Sequence, residues 1–280
     1  MQADQARAEI PLEHRDVVDG GSDRRNPVRR HWQAFFAAVQ FLTRVPIPER
    51  FVNALPATAR LELATIYFPL VGALIGLATA ATIWLASHLW PTWLAVLLGL
   101  AAEALLTGAL HEDALADCCD ALGGGWTRAD VLRILEDSRL GTYGVLGLTI
   151  AFLLRAGSIT SLAAELLFPA LIASAAIGRW AMVLALSWLA PVSERPSLAQ
   201  QAGRQRLSVQ GVAATLAALP GTLPLALLWP ERLALAIIAV VVVTVLFVWY
   251  VRKRIGGLTG DCIGAIAYAS QFVVLLTCAA

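Results

Sequence analysis

The segment LALAIIAVVVVTVLFVWYV, residues 233–251, decides the fold class of this chain. It contains no charged side chain, and a helix of about 20 apolar residues crosses the ~30 Å hydrocarbon core of a bilayer. A membrane-spanning strand would instead show alternating segments of about 10 residues. The segment therefore predicts a membrane-spanning α-helix and excludes a β-barrel.

The composition extends this prediction to most of the chain. Of its 280 residues, 58% are hydrophobic and 15% are charged, whereas soluble domains hold roughly 45–50% apolar and 25% charged residues. Six further apolar segments are long enough to be spans, at residues 66–90, 93–110, 143–164, 166–190, 209–229 and 263–280. The last is short and could be re-entrant. We predict an all-α polytopic membrane helix bundle with about seven spans, in preference to a large soluble all-α core.

The N-terminal residues differ from the rest. Residues 1–31 are polar, mixed in charge and poor in aromatic residues, which predicts a disordered N-terminal arm. The arm lacks the apolar centre of a signal peptide. Apolar residues then recur at helical spacing and predict a helix in the membrane interface: Trp32, Phe35, Phe36, Val39 and Leu42. We assign residues 32–280 to a single membrane domain.

The basic residues predict the orientation of the spans. With the N-terminus inside, the segments 1–65, 111–142, 191–208 and 252–262 carry nearly all the lysine and arginine outside the spans, and the opposite connections hold only Arg232. Because cytoplasmic loops are rich in these residues, the pattern places 111–142 and 252–262 on the cytoplasmic side.

The stretch HEDALADCCDALGGGW, residues 111–126, gathers carboxylates directly after an apolar run. Asp113, Asp117 and Asp120 are spaced four and three residues apart, which places them on one helix face. Magnesium prefers such oxygen ligands and completes its shell with water and phosphate. We predict a metal site there, in preference to a solvated helix end. Glu112 lies off this face and is expected to be solvated.

Other residues of this stretch are weaker candidates. His111 lies opposite the aspartates on a regular helix, although at the helix start it could turn inward as a catalytic group. Gly123 and Gly124 either bring backbone N–H groups to a phosphate or form only a turn. Thr127 with Asp130 is close to a capping box for a short following helix.

Two further motifs fall on the predicted cytoplasmic side. In EDSRLGTYG, residues 136–144, Arg139 can fork onto phosphate oxygens, and Asp137 is either a metal ligand or its partner. Gly141 and Gly144 would let a bulky substrate approach the backbone. In GGLTGDCIGA, residues 256–265, Asp261 is either a second metal contact or a solvated loop residue.

Three charges lie within predicted spans: Glu103, Arg155 and Arg179. Buried membrane charges are usually functional or paired. Glu103 with one of the arginines is a candidate structural pair, and Arg179 could instead reach a substrate phosphate. The four cysteines form no Cys-x-x-Cys pair and so give no support for a zinc site.

Together these motifs resemble the cobalamin synthase family, whose members are adenosylcobinamide-GDP ribazoletransferases. The resemblance also covers FLTRVPIP (41–48) and FPLVGALIG (68–76), and runs from about Phe35 to the C-terminus. Ala114 replaces a usual glycine of the first motif. Tyr268 and Gln271 stand where glutamates often follow in the last helix, which puts an acidic role of that helix in doubt.

The resemblance implies a membrane transferase that joins adenosylcobinamide-GDP to α-ribazole or its 5′-phosphate and releases GMP, by Mg²⁺-dependent phosphoryl transfer. It implies the bacterial cytoplasmic (inner) membrane, with the active site facing the cytoplasm. The expected partners are these substrates and the lipid bilayer, with no nucleic acid, and assembly into a homo-oligomer stays open. The residues expected to act are His111, Asp117 and Arg139 in catalysis; Gly123, Gly124, Ser138, Arg139, Gly141, Gly144, Arg179 and Gly260 in substrate binding; and Asp113, Asp117, Asp120 and Asp261 at the metal.

Other aspartate-rich membrane transferases are the nearest alternatives. A CDP-alcohol phosphotransferase would need an arginine where Asp117 stands, and an aromatic prenyltransferase would need a second Asp-x-x-x-Asp motif. A transporter could use Glu103, Arg155 and Arg179 as a relay, but it would need inverted repeats or broken helices at the midplane.

Overall fold

The computed structural model describes residues 27–51, 62–189 and 209–280, and these residues contain no β-strand. The all-α prediction is therefore confirmed. The α-helices of the described residues are α1 (Pro27–Leu42), α2 (Phe68–Ala86), α3 (Thr92–Thr107), α4 (Leu110–Gly124), α5 (Arg128–Leu135), α6 (Thr142–Thr160), α7 (Leu167–Trp188), α8 (Val209–Leu228), α9 (Pro230–Ile255) and α10 (Gly260–Ala279).

One predicted boundary near the N-terminus changes. Helix α1 begins at Pro27, so residues 27–31 are helical and do not belong to a disordered arm. Proline suits the first position of a helix because its missing N–H has no partner there anyway. The rest of the predicted arm, and the predicted connection 191–208, lie outside the described residues.

Six helices are long and apolar enough to cross a membrane, within the described part of the chain. A seventh span exists only if α3 and α4 count as one, because they meet at 90°. The prediction of about seven spans is confirmed in this form. Residues 93–110 are not a straight span, and α10 is long enough to cross rather than re-enter.

The centre of the bundle is the contact between α2 and α7. A Cβ added at Gly72 or Gly76 would collide with the backbone carbonyl oxygens of Ala175 and Leu171, respectively. This Gly-x-x-x-Gly spacing permits close helix approach, which drives helix association where lipid removes the hydrophobic driving force. Helix α7 is accordingly the most enclosed of the spans, whereas most of α9 faces outward.

The break between α3 and α4 consists of two consecutive left-handed residues. Gly108 has φ of 70°, and Ala109 has φ of 56° and is the one non-glycine residue with positive φ among those described. The N–H of Ala109 donates to the carbonyl of Ala104 at 2.8 Å, and that of Arg44 donates to Leu106 at 2.7 Å. One bond from within the break and one from a distant part of the chain thus satisfy two of the carbonyl groups at the end of α3.

Candidate active site

Helix α4 carries the three predicted aspartates on one face. Asp113 is exposed, Asp117 is half-buried and Asp120 is buried, so the face runs from the surface into the bundle. The helix ends at the glycine turn, as the sequence predicts, because Gly125 adopts an extended conformation.

Helix α10 brings the fourth aspartate to this face. Thr259 caps its N-terminus by accepting a hydrogen bond from the Cys262 N–H at 3.3 Å, which places Asp261 in the first turn. Cys262 Sγ lies 3.9 Å from Cys118 Sγ of α4. Two residues after Cys262, a Cβ at Gly264 would lie 2.5 Å from Ala114 Cβ. This close packing sets Asp261 beside α4.

The carboxylates of Asp113, Asp117 and Asp261 interact across the two helices, and together they are called the aspartate site below. Partial burial, followed by the negative charges of Asp113, Asp261 and Asp120, raises the pKa of Asp117 to about 6. Carboxylates repel one another in this way where no cation separates them. Charge of one sign is therefore concentrated at the aspartate site.

Asp120 contacts the backbone of α6. Its carboxylate accepts hydrogen bonds from the N–H of Gly141 at 2.7 Å and of Gly144 at 2.8 Å. A Cβ at either glycine would collide with this carboxylate. A carboxylate of the chain itself thus approaches the backbone of these glycines, and the substrate-binding role predicted for them stays a prediction. The predicted role of Asp120 at the metal stays a prediction.

The loop before α6 shows one of the two alternatives for Asp137, the pairing with Arg139. Its carboxylate pairs with Arg139, with Nη2 to Oδ2 at 2.7 Å and Nε to Oδ1 at 3.0 Å, and this pairing lowers the pKa of Asp137 to about 2. Asp137 is thus the partner of Arg139. The guanidinium itself is 86% exposed, as Ser138 is exposed, so both are accessible to a substrate.

The glycine turn is shaped by packing. A Cβ at Gly123 would lie 2.8 Å from the Tyr143 ring, whereas Gly124 has looser surroundings and Gly260 has open space around it. The capping box of Thr127 and Asp130 is confirmed. The turn is also fixed to the end of α9, since Arg254 donates to the Gly125 carbonyl.

The charges within the bundle form a second group, here called the buried charge cluster: Glu103, Glu112, Arg155 and Arg179. Glu103 pairs with Arg155 at 2.6 Å and also accepts a hydrogen bond from Thr79 Oγ1 at 2.8 Å. The predicted pairing of Glu103 with an arginine is confirmed, and Arg155 is that arginine.

The prediction for Glu112 is wrong. Its carboxylate turns into the bundle, 3.9 Å from Arg155 Nη1, with a side chain only 17% exposed. Helical periodicity alone placed Glu112 off the aspartate face, but it could not show that α6 covers that side of α4. The sequence did contain one signal. The predicted spans hold two arginines, Arg155 and Arg179, but one glutamate, Glu103, so the charge balance lacked a second carboxylate.

His111 and Arg179 also lie inside the bundle. His111 is 2% exposed, and its charged neighbours are Arg179 and Arg155 rather than the aspartates. Arg179 is fully buried and donates only a long 3.5 Å bond to the Ala175 carbonyl of its own helix. The catalytic role predicted for His111 and the substrate role predicted for Arg179 stay predictions.

The donor set of the aspartate site fits magnesium. No group of three or more His, Cys, Asp or Glu side chains forms a ready metal cage within the described residues. Magnesium does not need one, because it usually takes one or two carboxylates and completes its shell with water and substrate phosphates. Carboxylates that repel one another on an accessible helix face suit such an open site.

Comparisons with known proteins agree on one family. The model of the family described as "Cobalamin-5-phosphate synthase" matches residues 34–279. An adenosylcobinamide-GDP ribazoletransferase of Ralstonia pickettii is 36% identical, over 89% of this chain and 96% of its own length. Proteins of the same name from Leptothrix cholodnii and Bradyrhizobium diazoefficiens are each 38% identical, over 86% and 87% of this chain and 93% and 92% of theirs. No solved structure matches.

Proposed function

This chain belongs to the cobalamin-5-phosphate synthase family, and we propose that its aspartate site carries out the reaction for which its relatives are named. The enzyme joins adenosylcobinamide-GDP to α-ribazole or its 5′-phosphate in the last assembly step of cobalamin, and releases GMP. It is an integral membrane protein. We place it in the bacterial inner membrane, with the aspartate site facing the cytoplasm, because the basic residues concentrate on that side.

One observation carries the assignment of the site: carboxylates from two distant parts of the sequence converge where α4 meets α10. Asp117 interacts with Asp113 on its own helix and with Asp261 on the other. Asp113, Asp117 and Asp261 would hold Mg²⁺. When bound, the ion neutralises diphosphate oxygens and the charge that develops on the leaving GMP.

The residues of the chain then position the two substrates. Arg139 is exposed beside the N-terminus of α6 and can bind a phosphate oxygen in exchange for its pairing with Asp137. The ribose hydroxyl attacks the phosphorus attached to the corrinoid arm, and the bond from this phosphorus to the oxygen of GMP breaks. The hydroxyl proton passes to a carboxylate of the aspartate site, because the His111 imidazole is buried on another side of α4.

The test is product formation by the purified protein in lipid. Adenosylcobinamide-GDP and α-ribazole 5′-phosphate are supplied with Mg²⁺ or with EDTA, and GMP and the completed corrinoid are measured. We expect activity with Mg²⁺ only, and a loss of about 100-fold to 1000-fold in Asp117→Asn, as when a group that stabilises transition-state charge is removed. Asp130→Asn, at the exposed cap of α5, is the control.

Three results would each contradict a part of this proposal. Full activity in EDTA would exclude the metal. If EDTA abolishes activity but Asp117→Asn is fully active, the proposed reaction stands and the metal site does not lie on α4. No GMP release by the folded, magnesium-supplied protein would reject the reaction itself.

A further inference from the structure

One side chain of α6 contacts both limbs of the broken pair α3–α4. Arg155 Nη2 lies 2.6 Å from the carboxylate of Glu103, which precedes the break, and Nη1 lies 3.9 Å from that of Glu112, which follows it. Arg155 and Glu103 are 2% and 3% exposed. Buried charges depend on their partners, so each of these groups restrains the others.

The far end of α4 is held by the same helix. Asp120 accepts hydrogen bonds from the first turn of α6, through the N–H groups of Gly141 and Gly144. At a rise of 1.5 Å per residue, Glu112 and Asp120 lie about 12 Å apart along α4. Asp113 and Asp117 stand between these two attachments, so the attachments set which way they face.

The break itself needs such restraint. Ala109 holds φ of 56°, a conformation that side-chain-bearing residues rarely adopt. Strained residues persist where the surrounding structure over-determines them. The backbone does not define the 90° angle by its own preference, and contacts from outside must do so.

We propose that Arg155 is a positioning residue: through Glu112 it holds the first turn of α4 so that Asp113 and Asp117 face Asp261. The meaning of this orientation for metal binding rests on the proposed function. The orientation itself does not rest on the proposed function, because the contact between Cys118 and Cys262 reports the register of α4 on α10 without any metal.

Glu112→Gln is the sharpest variant. It removes the charge contact after the break and leaves the ion pair of Glu103 with Arg155 intact, so no buried arginine loses its only partner. Two readouts are taken from protein in lipid nanodiscs. The first is the affinity for Mn²⁺ without substrates. The second is the rate at which diamide, a thiol oxidant, cross-links Cys118 to Cys262 when Cys119 and Cys278 are serine.

We expect Glu112→Gln to weaken Mn²⁺ binding about fivefold to tenfold and to slow cross-linking by a similar factor. Because Glu112 and Arg155 act through one contact, Glu112→Gln should add little to Arg155→Gln. Arg155→Lys should recover part of both readouts. Arg232→Gln is the matched control, since Arg232 joins α9 to the carbonyl of Cys278 in α10, away from the aspartates.

Each outcome decides the matter. If folded Glu112→Gln and Arg155→Lys bind Mn²⁺ and cross-link as the wild type does, the positioning role is rejected, even if their thermal stability falls. If the wild type binds no Mn²⁺ but Glu112→Gln still slows cross-linking, the positioning role stands and the metal assignment fails. If Arg155→Gln does not fold, Glu112→Gln and Arg155→Lys still give the answer.

Discussion

The aspartate site and the buried charge cluster lie on the same broken helix pair, yet they are built in opposite ways. The aspartate site gathers Asp113, Asp117 and Asp261, all of one sign, where α4 is accessible. The buried charge cluster holds two glutamates and two arginines away from water. The first has an excess of charge that a cation can neutralise, and the second is balanced by the chain itself.

This difference separates a binding site from a structural one by charge and exposure. Buried charge of one sign would be too costly to keep, whereas balanced pairs persist in an apolar surrounding. Open charge of one sign is tolerable and attracts a ligand of the other sign. In this bundle, solvent exposure distinguishes the aspartate site from the buried charge cluster better than the number of charged residues does.

The largest expected effect comes from unbalancing the buried charge cluster. Arg155→Met should lower the free energy of unfolding by about 3–5 kcal/mol, because the buried Glu103 loses its ion-pair partner. The double variant Glu103→Leu with Arg155→Met should lose much less. Thermal and denaturant unfolding in one detergent measure both. Equal losses in the single and double variants would show that Glu103 and Arg155 do not balance each other.

The next effect concerns the join between Asp120 and α6. Gly144→Ala places a Cβ against the Asp120 carboxylate, and should lower the free energy of unfolding by about 1–3 kcal/mol, as overpacking does. Gly157→Ala is the matched control on the same helix, because its Cβ would meet nothing within 4 Å. The control should be neutral or slightly stabilising. Equal stability of both variants would contradict the contact.

The pH dependence of the aspartate site should be smaller and of known sign. The pKa of Asp117 is raised from 3.8 to about 6 by burial and by the neighbouring carboxylates. Ionisation of this group therefore destabilises the metal-free protein as pH rises through about 6, and protonation competes with a metal below it. Mn²⁺ affinity should fall by up to about tenfold per pH unit below pH 6. In Asp117→Asn the dependence of Mn²⁺ affinity on pH should be reduced. If it is unchanged, a group other than Asp117 causes it.

The smallest effect is expected at the exposed Arg139. Arg139→Gln should leave the thermal midpoint unchanged, because an ion pair in water contributes little to stability. The KM for adenosylcobinamide-GDP should rise severalfold, and the difference from the wild type should shrink at high salt. Steady-state kinetics at two ionic strengths measure this. An unchanged KM at low salt would remove Arg139 from substrate binding.

The sequence predicted the fold class and the grouping of the aspartates well, for a physical reason. Apolar segments of fixed length have few structural solutions in a bilayer, and a spacing of four and three residues defines a helix face. The capping box of Thr127 and Asp130 was equally local. The pairing of Glu103 followed from the cost of burying charge.

The remaining features depend on which helices meet. The spacing of α4 did not show that α6 covers Glu112, nor that Asp120 would bind the backbone of Gly141 and Gly144. The 90° break was hidden for a related reason: Gly108 permits a left-handed conformation without requiring one, and Ala109 has no preference for it. Long-range contacts impose these features, and a pattern along one helix does not contain them.

The shortness of α3 has a consequence for the membrane around it. Its 16 residues rise only about 24 Å before the break, which is less than the ~30 Å thickness of the hydrocarbon core. A span shorter than the hydrocarbon core is accommodated by local thinning of the bilayer, at a cost that grows with each ångström of mismatch. We therefore expect lipid chain length to affect how readily charged nucleotides reach the aspartates.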